Sequence, residues 1–388
     1  MMIEILFWIF LLMIFYSYIG YTMLLLVLKS FRSNTDGLPE SDLPEVTLVI
    51  AAYNERNIIA DKVANSTLLD YPKEKLRQLW VTDGSTDGSE KILEQYKGII
   101  VLHKAEREGK IGAVNHAMEY VSTPIVVFSD ANSMLTQNAI KEIVAPFANP
   151  EVGCVTGEKR ILKSNARYAI TTGEGLYWSY ESFVKKLESQ VNSTIGAVGE
   201  LFAIRSILYQ KVEADTLLDD FIISMDIASR GYKIKYAPAA IAYESSSANL
   251  TEELKRKVRI AAGSIQTLVR RSYLLNIFKY KMLSFQYWSH KVLRWTFVPF
   301  AMVFVFIFDV YLAITLGKNI YVVLFVLQLA FYILALIGLL FRNIKSRLHI
   351  IFVPYYMVIM NYAIILGIIK QLRGNQSVNW EKAKRLNS

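Results

Sequence analysis

One stretch near the start of the chain limits what the protein can fold into. Residues 5–28, ILFWIFLLMIFYSYIGYTMLLLVL, contain no charged side chain over 24 positions. A helix of about 20 apolar residues crosses the hydrocarbon core of a bilayer, so this stretch is long enough to span a membrane. A signal peptide would have a basic start and a small-residue cleavage site, whereas Glu4 precedes this stretch and no such site follows it. The sequence therefore predicts an uncleaved transmembrane anchor within residues 1–31.

The C-terminal part of the chain carries three more segments of this kind. Residues 292–316, 319–341 and 348–370 are each apolar and long enough to span. They account for much of the hydrophobic fraction of 53%, which is high for a soluble protein. We expect residues 291–370 to form transmembrane helices and the protein to lie in the plasma membrane.

The basic residues predict the orientation of these segments. Lys29 and Arg32 follow the first segment, and basic loops are retained in the cytoplasm, so the globular middle of the chain is expected there. The same rule places 342–347 and the basic tail, 371–388, in the cytoplasm. Three complete spans after the domain cannot satisfy both expectations. Either 348–370 does not fully span or the tail breaks the rule, and the sequence leaves both open.

Charge and cysteine content restrict the partners and the compartment. The formal net charge of +9 could suggest nucleic acid, but the Lys and Arg residues cluster at 255–281, 342–347 and 370–385, beside the apolar segments. Membrane lipids are therefore the expected partner, and nucleic acid is not. A single cysteine, Cys154, rules out an internal disulfide framework and suits a reducing compartment.

The middle of the chain alternates strand and helix patterns, which is typical of an α/β fold with a doubly wound, mostly parallel sheet. Such sheets bind ligands at the carboxyl ends of their strands. Strands are predicted at 46–53, 79–83, 99–102 and 125–130, and helices at 57–68, 89–96, 110–121 and from about 136.

Polar side chains gather where these strands end. Glu55 follows the first strand, Asp83 ends the second, and Asp130 and Asn132 end the fourth. Neither the P-loop pattern nor a G-x-G-x-x-G turn after the first strand is present, so phosphates would have to be held differently. Lys110 begins a predicted helix, where the helix dipole also favours an anion.

These stretches together resemble the inverting glycosyltransferases of family two, which include membrane-embedded polysaccharide synthases and many single-transfer relatives. The resemblance implies a GT-A fold for residues 44–250, a nucleotide-sugar donor that is usually UDP-linked, and a divalent cation, Mg²⁺ or Mn²⁺. The matching stretches are VIAAYNE (49–55), VTDGSTDGS (81–89), GKIGAVNHA (109–117), FSDAN (128–132), GAVGELFAIR (196–205), LLDDF (217–221) and RKVR (256–259).

The resemblance also implies roles for residues of the donor site. Asp83 matches the aspartate that contacts the uracil ring, Lys110 matches a residue near the diphosphate, and Asp130 matches the first aspartate of the family's D-x-D, beside ribose and metal. The complete implied donor site is Ala52, Tyr53, Glu55, Asp83, Lys110 and Asp130.

The metal site departs from the family pattern. Asn132 stands where the family usually has a metal-binding aspartate, and an amide oxygen can ligate Mg²⁺ or Mn²⁺ without bringing charge. Glu244, after the strand-like stretch 233–243, is a candidate for the missing carboxylate. The alternative for Asp130 and Asn132 is a strand end followed by a turn, where Asp and Asn are common.

Asp219 and Asp220 are the candidate catalytic carboxylates. Asp220 matches the family's general base, and a neighbouring carboxylate tends to raise the pKa of one partner, which suits a base. The alternative is an N-cap for a helix at 221–230. Gly199 and Glu200 match the loop that approaches the acceptor, although a glycine-hinged turn explains them equally well.

The helix predicted at about 251–271 has an apolar stripe with period 3.6 and a basic opposite side, so residues 251–290 are expected at the membrane interface. Arg256 and Arg259 share a face and are candidates for acceptor binding, with anionic lipid as the alternative. Processive synthases carry Q-x-x-R-W here, but Ile260 stands in place of the tryptophan. Trp380, also a candidate for acceptor binding, is either a lid residue near the donor or an interfacial anchor.

The function expected from the sequence is transfer of a sugar from a nucleotide diphosphate to a lipid-linked or glycan acceptor, in cell-surface polysaccharide or glycolipid synthesis. Two alternatives stay open. One is a processive polysaccharide synthase, against which Ile260 and the few spans argue. The other is a non-catalytic subunit that keeps the fold, which only Asn132 supports.

Overall fold

The computed structural model describes residues 1–31, 43–162, 168–245, 250–341 and 349–374. Trp380 and the basic tail lie outside the described residues. The chain divides into two compact units, which we call the helical unit and the sheet unit. The helical unit comprises Met1–Phe31, Lys163–Glu181 and Asn249–Asn375, and the sheet unit comprises Arg32–Leu162, Ser182–Ala248 and Gln376–Ser388.

The sheet unit is built on eight strands in the order β3-β2-β1-β4-β7-β6-β8-β5. Strands β1 to β4 pair in parallel, as do β6 and β8, whereas β7 and β5 pair antiparallel with their neighbours. The strands are β1 Val46–Ala52, β2 Leu76–Asp83, β3 Ile99–Lys104, β4 Ile125–Asp130, β5 Ser133–Leu135, β6 Val152–Leu162, β7 Leu201–Arg205 and β8 Lys233–Ser245.

Helices cover both faces of the parallel part of the sheet, which is why β1 reads as a continuous apolar run. One face forms a core with Leu48, Trp80 and Val127 against α3, and α5 contacts β1 and β2 without joining that core. The doubly wound, mostly parallel α/β fold is thus confirmed. The helices of this unit are α3 Arg56–Thr67, α4 Ser89–Leu93, α5 Gly109–Met118, α6 Ala139–Val144 and α8 Asp219–Ser229, with short 3₁₀ turns at Lys73–Lys75, Ala145–Ala148 and Ser206–Leu208.

The strand register brings the candidate site residues to one edge. Ala51 lies opposite Asp130 on one side, and Ala52 lies opposite Thr82 on the other. Parallel strands have their carboxyl ends at the same edge, so the residues that follow β1, β2 and β4 meet there.

One element differs from the sequence expectation. The helix expected from about 136 begins at Ala139, and the short strand β5 precedes it. Strand β5 pairs with the end of β8, where Ser133 lies opposite Glu244. A strand of three residues is too short to show a period, so its pairing partner, more than 100 residues later, determines it.

The helical unit contains the apolar helices. Four helical stretches in the described residues are long and apolar enough to cross a membrane: Met2–Ser30, Ile277–Leu316, Asn319–Leu340 and Phe352–Leu372. The second is longer than expected because α10, which is kinked at Lys281 (φ +48°), a π-helical stretch and α11 follow one another without an intervening loop. The helices of this unit are α1 Met2–Phe15, α2 Tyr21–Ser30, α9 Leu250–Arg270, α10 Ile277–Tyr287, α11 Val298–Leu316, α12 Asn319–Leu340 and α13 His349–Leu372, with π-helical turns at Tyr16–Gly20 and Trp288–Phe297 and a 3₁₀ turn at Ser272–Leu275. Helix α7, Tyr168–Val191, contributes to both units.

Polar contacts join the helices of this unit. The buried carboxylate of Glu181 accepts hydrogen bonds from Arg294 at 2.5 Å and Lys291 at 2.9 Å. Arg294 also donates to the carbonyl oxygen of Ser17 at 3.0 Å. This hydrogen bond connects the first apolar helical stretch, Met2–Ser30, to the π-helical turn before α11. A buried charge is costly unless it is paired, and this one is.

Candidate active site

A lysine and two carboxylates from three separate elements meet at the carboxyl edge of the sheet. Lys110 lies in the first turn of α5, Asp130 ends β4, and Asp219 begins α8. The Lys110 Nζ atom is 2.8 Å from Asp130 Oδ1 and 3.5 Å from Asp219 Oδ2. Despite burial, these carboxylates and that of Asp220 raise the pKa of Lys110, so the side chain stays an ammonium ion.

Asp220 follows Asp219 in α8, and its pKa is shifted strongly upward. Burial and the charges of Asp219 and Glu200 together raise its pKa to about 7, against the opposing charge of Lys110. A carboxyl group that titrates near neutral pH can accept a proton efficiently at working pH. The N-cap of α8 is Leu218, so neither aspartate occupies the capping position that was the alternative.

The loop before β7, residues 196–200, approaches these side chains closely, and we call it the glycine loop. A Cβ atom at Gly199 would lie 3.2 Å from Lys110 Nζ and 3.3 Å from Asp220 Oδ2, so only glycine leaves both atoms free of a close contact. The loop is fixed to α8 through Ser224, whose hydroxyl accepts from the Ala197 amide at 3.0 Å and donates to the Asp220 carbonyl at 2.7 Å. The candidate base and the glycine loop therefore form one connected structure.

Asp83 organises the start of α5. Its carboxylate accepts hydrogen bonds from the backbone amides of Glu108 at 2.8 Å and Gly109 at 2.7 Å. Burial raises the pKa of Asp83, while these two amides lower it. A carboxylate at a helix N-terminus is stabilised by the helix dipole, and here it sets the position from which Lys110 extends.

Next to Asp83, an aromatic ring and a guanidinium form a stacked pair. The Arg107 guanidinium carbon lies 3.7 Å from the centre of the Tyr53 ring. Gly84 has a φ of +63° and sits against Arg107, where a Cβ atom would lie 2.7 Å from Arg107 Cβ. Glu55 is buried, and its backbone amide donates to Ser89 at 3.2 Å. Flat surfaces of this kind suit a planar ring such as a nucleobase.

A lysine lies beneath the loop that carries Asp130 and Asn132. Lys62 of α3 is fully buried, donates to the Ser129 hydroxyl at 2.9 Å and also donates to the Ser133 carbonyl. Burial lowers the pKa of Lys62 to about 7, and the charge of Asp130 opposes this. Lys62 thus forms hydrogen bonds with residues on both sides of Asp130 and Asn132 and fixes the turn that carries them.

Glu200 and Glu244 share a cation. Both carboxylates form ion pairs with Lys159 of β6, which is almost completely buried. Glu244, a candidate metal ligand from the sequence, is therefore held by an ammonium group, and the same group holds Glu200, whose charge raises the pKa of Asp220. Paired buried charges fix the positions of the groups that carry them.

The donor atoms at this edge are compatible with a hard divalent cation. Carboxylate and amide oxygens are what Mg²⁺ and Mn²⁺ prefer, and Asp130 and Asn132 offer both kinds. In the described part of the chain, the buried Asp219 Oδ2 has no hydrogen-bond partner, and the Lys110 ammonium lies between the carboxylates of Asp130 and Asp219 as a metal cation would. Within the described residues, no three His, Cys, Asp or Glu side chains lie close enough together to hold a metal ion by themselves.

The expected acceptor residues on α9 lie in the helical unit. Arg256 makes a paired contact with Glu253, with its Nη2 atom 3.0 Å and 3.2 Å from the two carboxylate oxygens. Arg259 follows three residues later on the same helix. Helix α9 also packs tightly on α13, where a Cβ atom at Gly367 would lie 2.5 Å from Ala261 Cβ.

Sequence reasoning missed three residues of the sheet unit. Arg107 precedes Lys110 by three residues, and its basic character in a strand-to-helix loop was a usable signal. Lys62 lies three residues after Ile59 on the buried face of α3, which hinted at a buried ammonium. Lys159 gave no local signal, because both of its carboxylate partners are more than 40 residues away.

Fold and site together define a class, the membrane-associated GT-A proteins. The structure is similar to a solved mannosyltransferase from Pyrobaculum calidifontis in complex with GDP-Man and Mn²⁺, with a TM-score of 0.74 and 20% sequence identity. The similarity covers 96% of this chain and all of that one. At this identity the likeness establishes the fold.

The sequence establishes the family. The profile of the family described as Glycosyltransferase like family 2 matches residues 44–263, more than half of the chain, so the protein belongs to that family. The chain is also 29% identical over 255 residues to poly-beta-1,6-N-acetyl-D-glucosamine synthase of Staphylococcus aureus, and 27% identical over 256 residues to that of Staphylococcus epidermidis. These matches cover 62% and 63% of this chain and 60% and 59% of the relatives, so the chain spans about 60% of the length of the curated relatives it matches.

Proposed function

We propose that the protein is an inverting glycosyltransferase that moves one sugar from a nucleotide diphosphate donor, UDP-linked by preference, to a lipid-linked or glycan acceptor. It would work in cell-surface polysaccharide or glycolipid synthesis as a multi-pass plasma-membrane protein with its sheet unit in the cytoplasm. The observation that carries the proposal is Asp220, a partly buried carboxyl group with a pKa of about 7, connected to the glycine loop beside Lys110 and Asp130.

The donor would lie across the carboxyl ends of the parallel strands. The stacked pair of Tyr53 and Arg107 would receive the base, with Asp83, Ala52 and Glu55 around the nucleoside. Lys110 would neutralise the diphosphate, because its ammonium lies at the N-terminal end of a helix, where anions are favoured. A divalent cation held by Asp130 and Asn132, or by Glu244 if Lys159 releases it, would supply charge neutralisation for the leaving diphosphate.

The transfer itself would use Asp220 as the general base. The carboxylate would take the proton of the acceptor hydroxyl, whose oxygen forms the new bond to the anomeric carbon. The bond from that carbon to the diphosphate oxygen breaks on the opposite face, so the configuration inverts. Gly199 would leave room for the acceptor beside the base, while Asp219 and Glu200 keep the pKa of Asp220 near neutrality.

A donor screen tests this proposal. Full-length protein in detergent would be offered UDP- and GDP-linked sugars, with and without polyprenyl phosphate or membrane lipid extract, and nucleotide release would be measured with Mg²⁺, Mn²⁺ or EDTA. We expect metal-dependent release that requires an acceptor. The Asp220→Asn variant should bind donor normally and lose transfer by about 10²–10⁴-fold. Failure to bind or consume any donor would contradict the proposal.

A processive polysaccharide synthase is the second candidate, because the curated relatives are named as synthases of poly-beta-1,6-N-acetyl-D-glucosamine. UDP-N-acetylglucosamine therefore belongs in the donor panel. Product length separates the two candidates.

A further inference from the structure

The ammonium group of Lys110 lies in an unusual place for a residue that is meant to meet a diphosphate. It lies between two carboxylates that come from different elements, at 2.8 Å from Asp130 and 3.5 Å from Asp219. Asp130 belongs to the donor side of the site and Asp219 to the side of the base. The lysine thus bridges the two sides in the protein without donor.

Asp219 provides an independent indication of a cation position. The residue is only 7% exposed, and its Oδ2 atom, the one that faces Lys110, has no hydrogen-bond partner among the residues that the structure describes. Burying a carboxylate oxygen without a hydrogen bond is costly unless a cation compensates for it. A separation of 3.5 Å is longer than a charged hydrogen bond of about 2.7–2.9 Å, so the ammonium satisfies this oxygen only in part.

We propose that Asp130 and Asp219 form a shared cation site which the Lys110 ammonium fills in the donor-free protein, and that Lys110 leaves it for the diphosphate when a donor brings its divalent metal. The inference rests on the proposed function for the identity of the donor. It adds Asp219 to the metal ligands and gives Lys110 a second position.

This arrangement has a consequence opposite to the usual effect of losing a site residue. A free divalent metal must displace Lys110 from two carboxylates, so the donor-free protein should bind it weakly. Removing the ammonium should tighten metal binding, although it weakens donor binding. The positive charge competes for the same position, and an uncharged side chain does not.

Titration of full-length protein in detergent with Mn²⁺ alone tests the site, with unbound Mn²⁺ followed by electron paramagnetic resonance and no nucleotide present. We expect Lys110→Met and Lys110→Gln each to bind Mn²⁺ at least about tenfold more tightly than the unmodified protein. The matched control is Lys141→Met, which removes a surface lysine paired with Asp70 at 2.8 Å and should change nothing.

A second pair of variants tests the part played by Asp219. Adding Asp219→Asn to Lys110→Met should cancel the gain, whereas adding Glu151→Gln, at an exposed carboxylate, should preserve it. No gain in either Lys110 variant, at unchanged thermal unfolding, would overturn the proposal, and so would a gain that survives Asp219→Asn. Because no sugar transfer is measured, this outcome is separate from whether the unmodified protein consumes a donor.

Discussion

At the level of single residues, if Asp220 is the base that we propose, its charge state controls whether the site can accept a proton. Its pKa is raised to about 7 by burial first and then by the charges of Asp219 and Glu200, with Lys110 acting against them. Below that pH the carboxyl group is protonated and cannot take a proton from the acceptor. Above it the base is available.

The rate of transfer should therefore fall as the pH drops below about 7. The Glu200→Gln variant removes one of the charges that raise the pKa of Asp220, so the acid limb of the pH–rate profile should move to lower pH. The matched control is Glu244→Gln, because both carboxylates pair with Lys159 but only Glu200 is among the charges that raise this pKa. The measurement is kcat/KM for the acceptor against pH. If the acid limb lay at the same pH in the unmodified and Glu200→Gln proteins, the proposed effect of Glu200 on Asp220 would be wrong.

Single-residue roles were partly accessible from the sequence. Lys110, Asp130, Asp219 and Asp220 stand at ends of predicted elements, and the structure brings all four together. The position of Lys159 was not accessible, because its contacts depend on how β6 and β8 pair. Local patterns report which residues end a strand, but they do not report which distant carboxylates share one buried cation.

At the level of elements, the parallel part of the sheet could be derived closely from periodicity. The strand β4 has the predicted bounds, 125–130, and β1 ends one residue before the prediction. Strand β5 was missed, because three residues carry no period and pairing with β8 creates the strand. Helix α8 begins two residues earlier than predicted, which puts Asp219 and Asp220 inside its first turn.

The glycine loop offers a test of how elements position the base. Gly196 has a φ of +83°, and a Cβ atom there would lie 2.2 Å from the ring of Phe221, the residue after Asp220. Gly196→Ala should lower both the thermal stability and the turnover, because the ring and the start of α8 must shift. The backbone strain costs about 1–2 kcal/mol, and the steric overlap adds about 1–3 kcal/mol.

Gly98→Ala is the matched control for this change. Gly98 has nearly the same φ, +85°, but no described residue lies within 4 Å of the position of its Cβ atom. Gly98→Ala should lose only the stability that backbone strain at this φ costs, and it should keep full turnover. Thermal unfolding and transfer assays on both variants check this. If the two variants were equally stable and equally active, the contact with Phe221 would not position the base.

At the level of the whole molecule, the four apolar helical stretches and the two units fit a protein that combines a donor site with a membrane region. Pro354 and Asn361 make the segment at 348–370 the weakest of the four candidate spans when the sequence is considered alone. In the structure, Asn361 is buried and donates to the Tyr18 hydroxyl at 3.1 Å, so the first helix satisfies part of the polar group that made this segment look weak. Hydropathy is calculated for each segment alone, so it does not include a hydrogen-bond partner on another helix.

Helix α9 of the helical unit bears on the expected length of the product. A polymer that stays bound between turnovers needs a flat surface on which its sugar rings can stack. The aliphatic side chain of Ile260 on α9 offers less stacking surface than the indole of a tryptophan would. Arg256 and Arg259 can still bind an anionic acceptor such as a lipid phosphate through charged hydrogen bonds. We therefore expect a lipid acceptor to be required and its product to be one sugar longer, measured by mass spectrometry of the extracted lipid.

The same reasoning predicts how the acceptor face of α9 responds to mutation. Arg259→Ala should raise the KM for a polyprenyl phosphate acceptor about tenfold, which is the loss of about 1.4 kcal/mol from a charged contact, and should leave the KM for the donor nearly unchanged. Lys255→Ala is the matched control, since its side chain is 62% exposed on the same helix and pairs with Glu252 at 3.1 Å. Steady-state kinetics with each substrate varied in turn separate the two constants. Long polymer formed from donor alone, in the unmodified protein and in Arg259→Ala alike, would show that the acceptor is the growing chain itself and would favour the processive alternative.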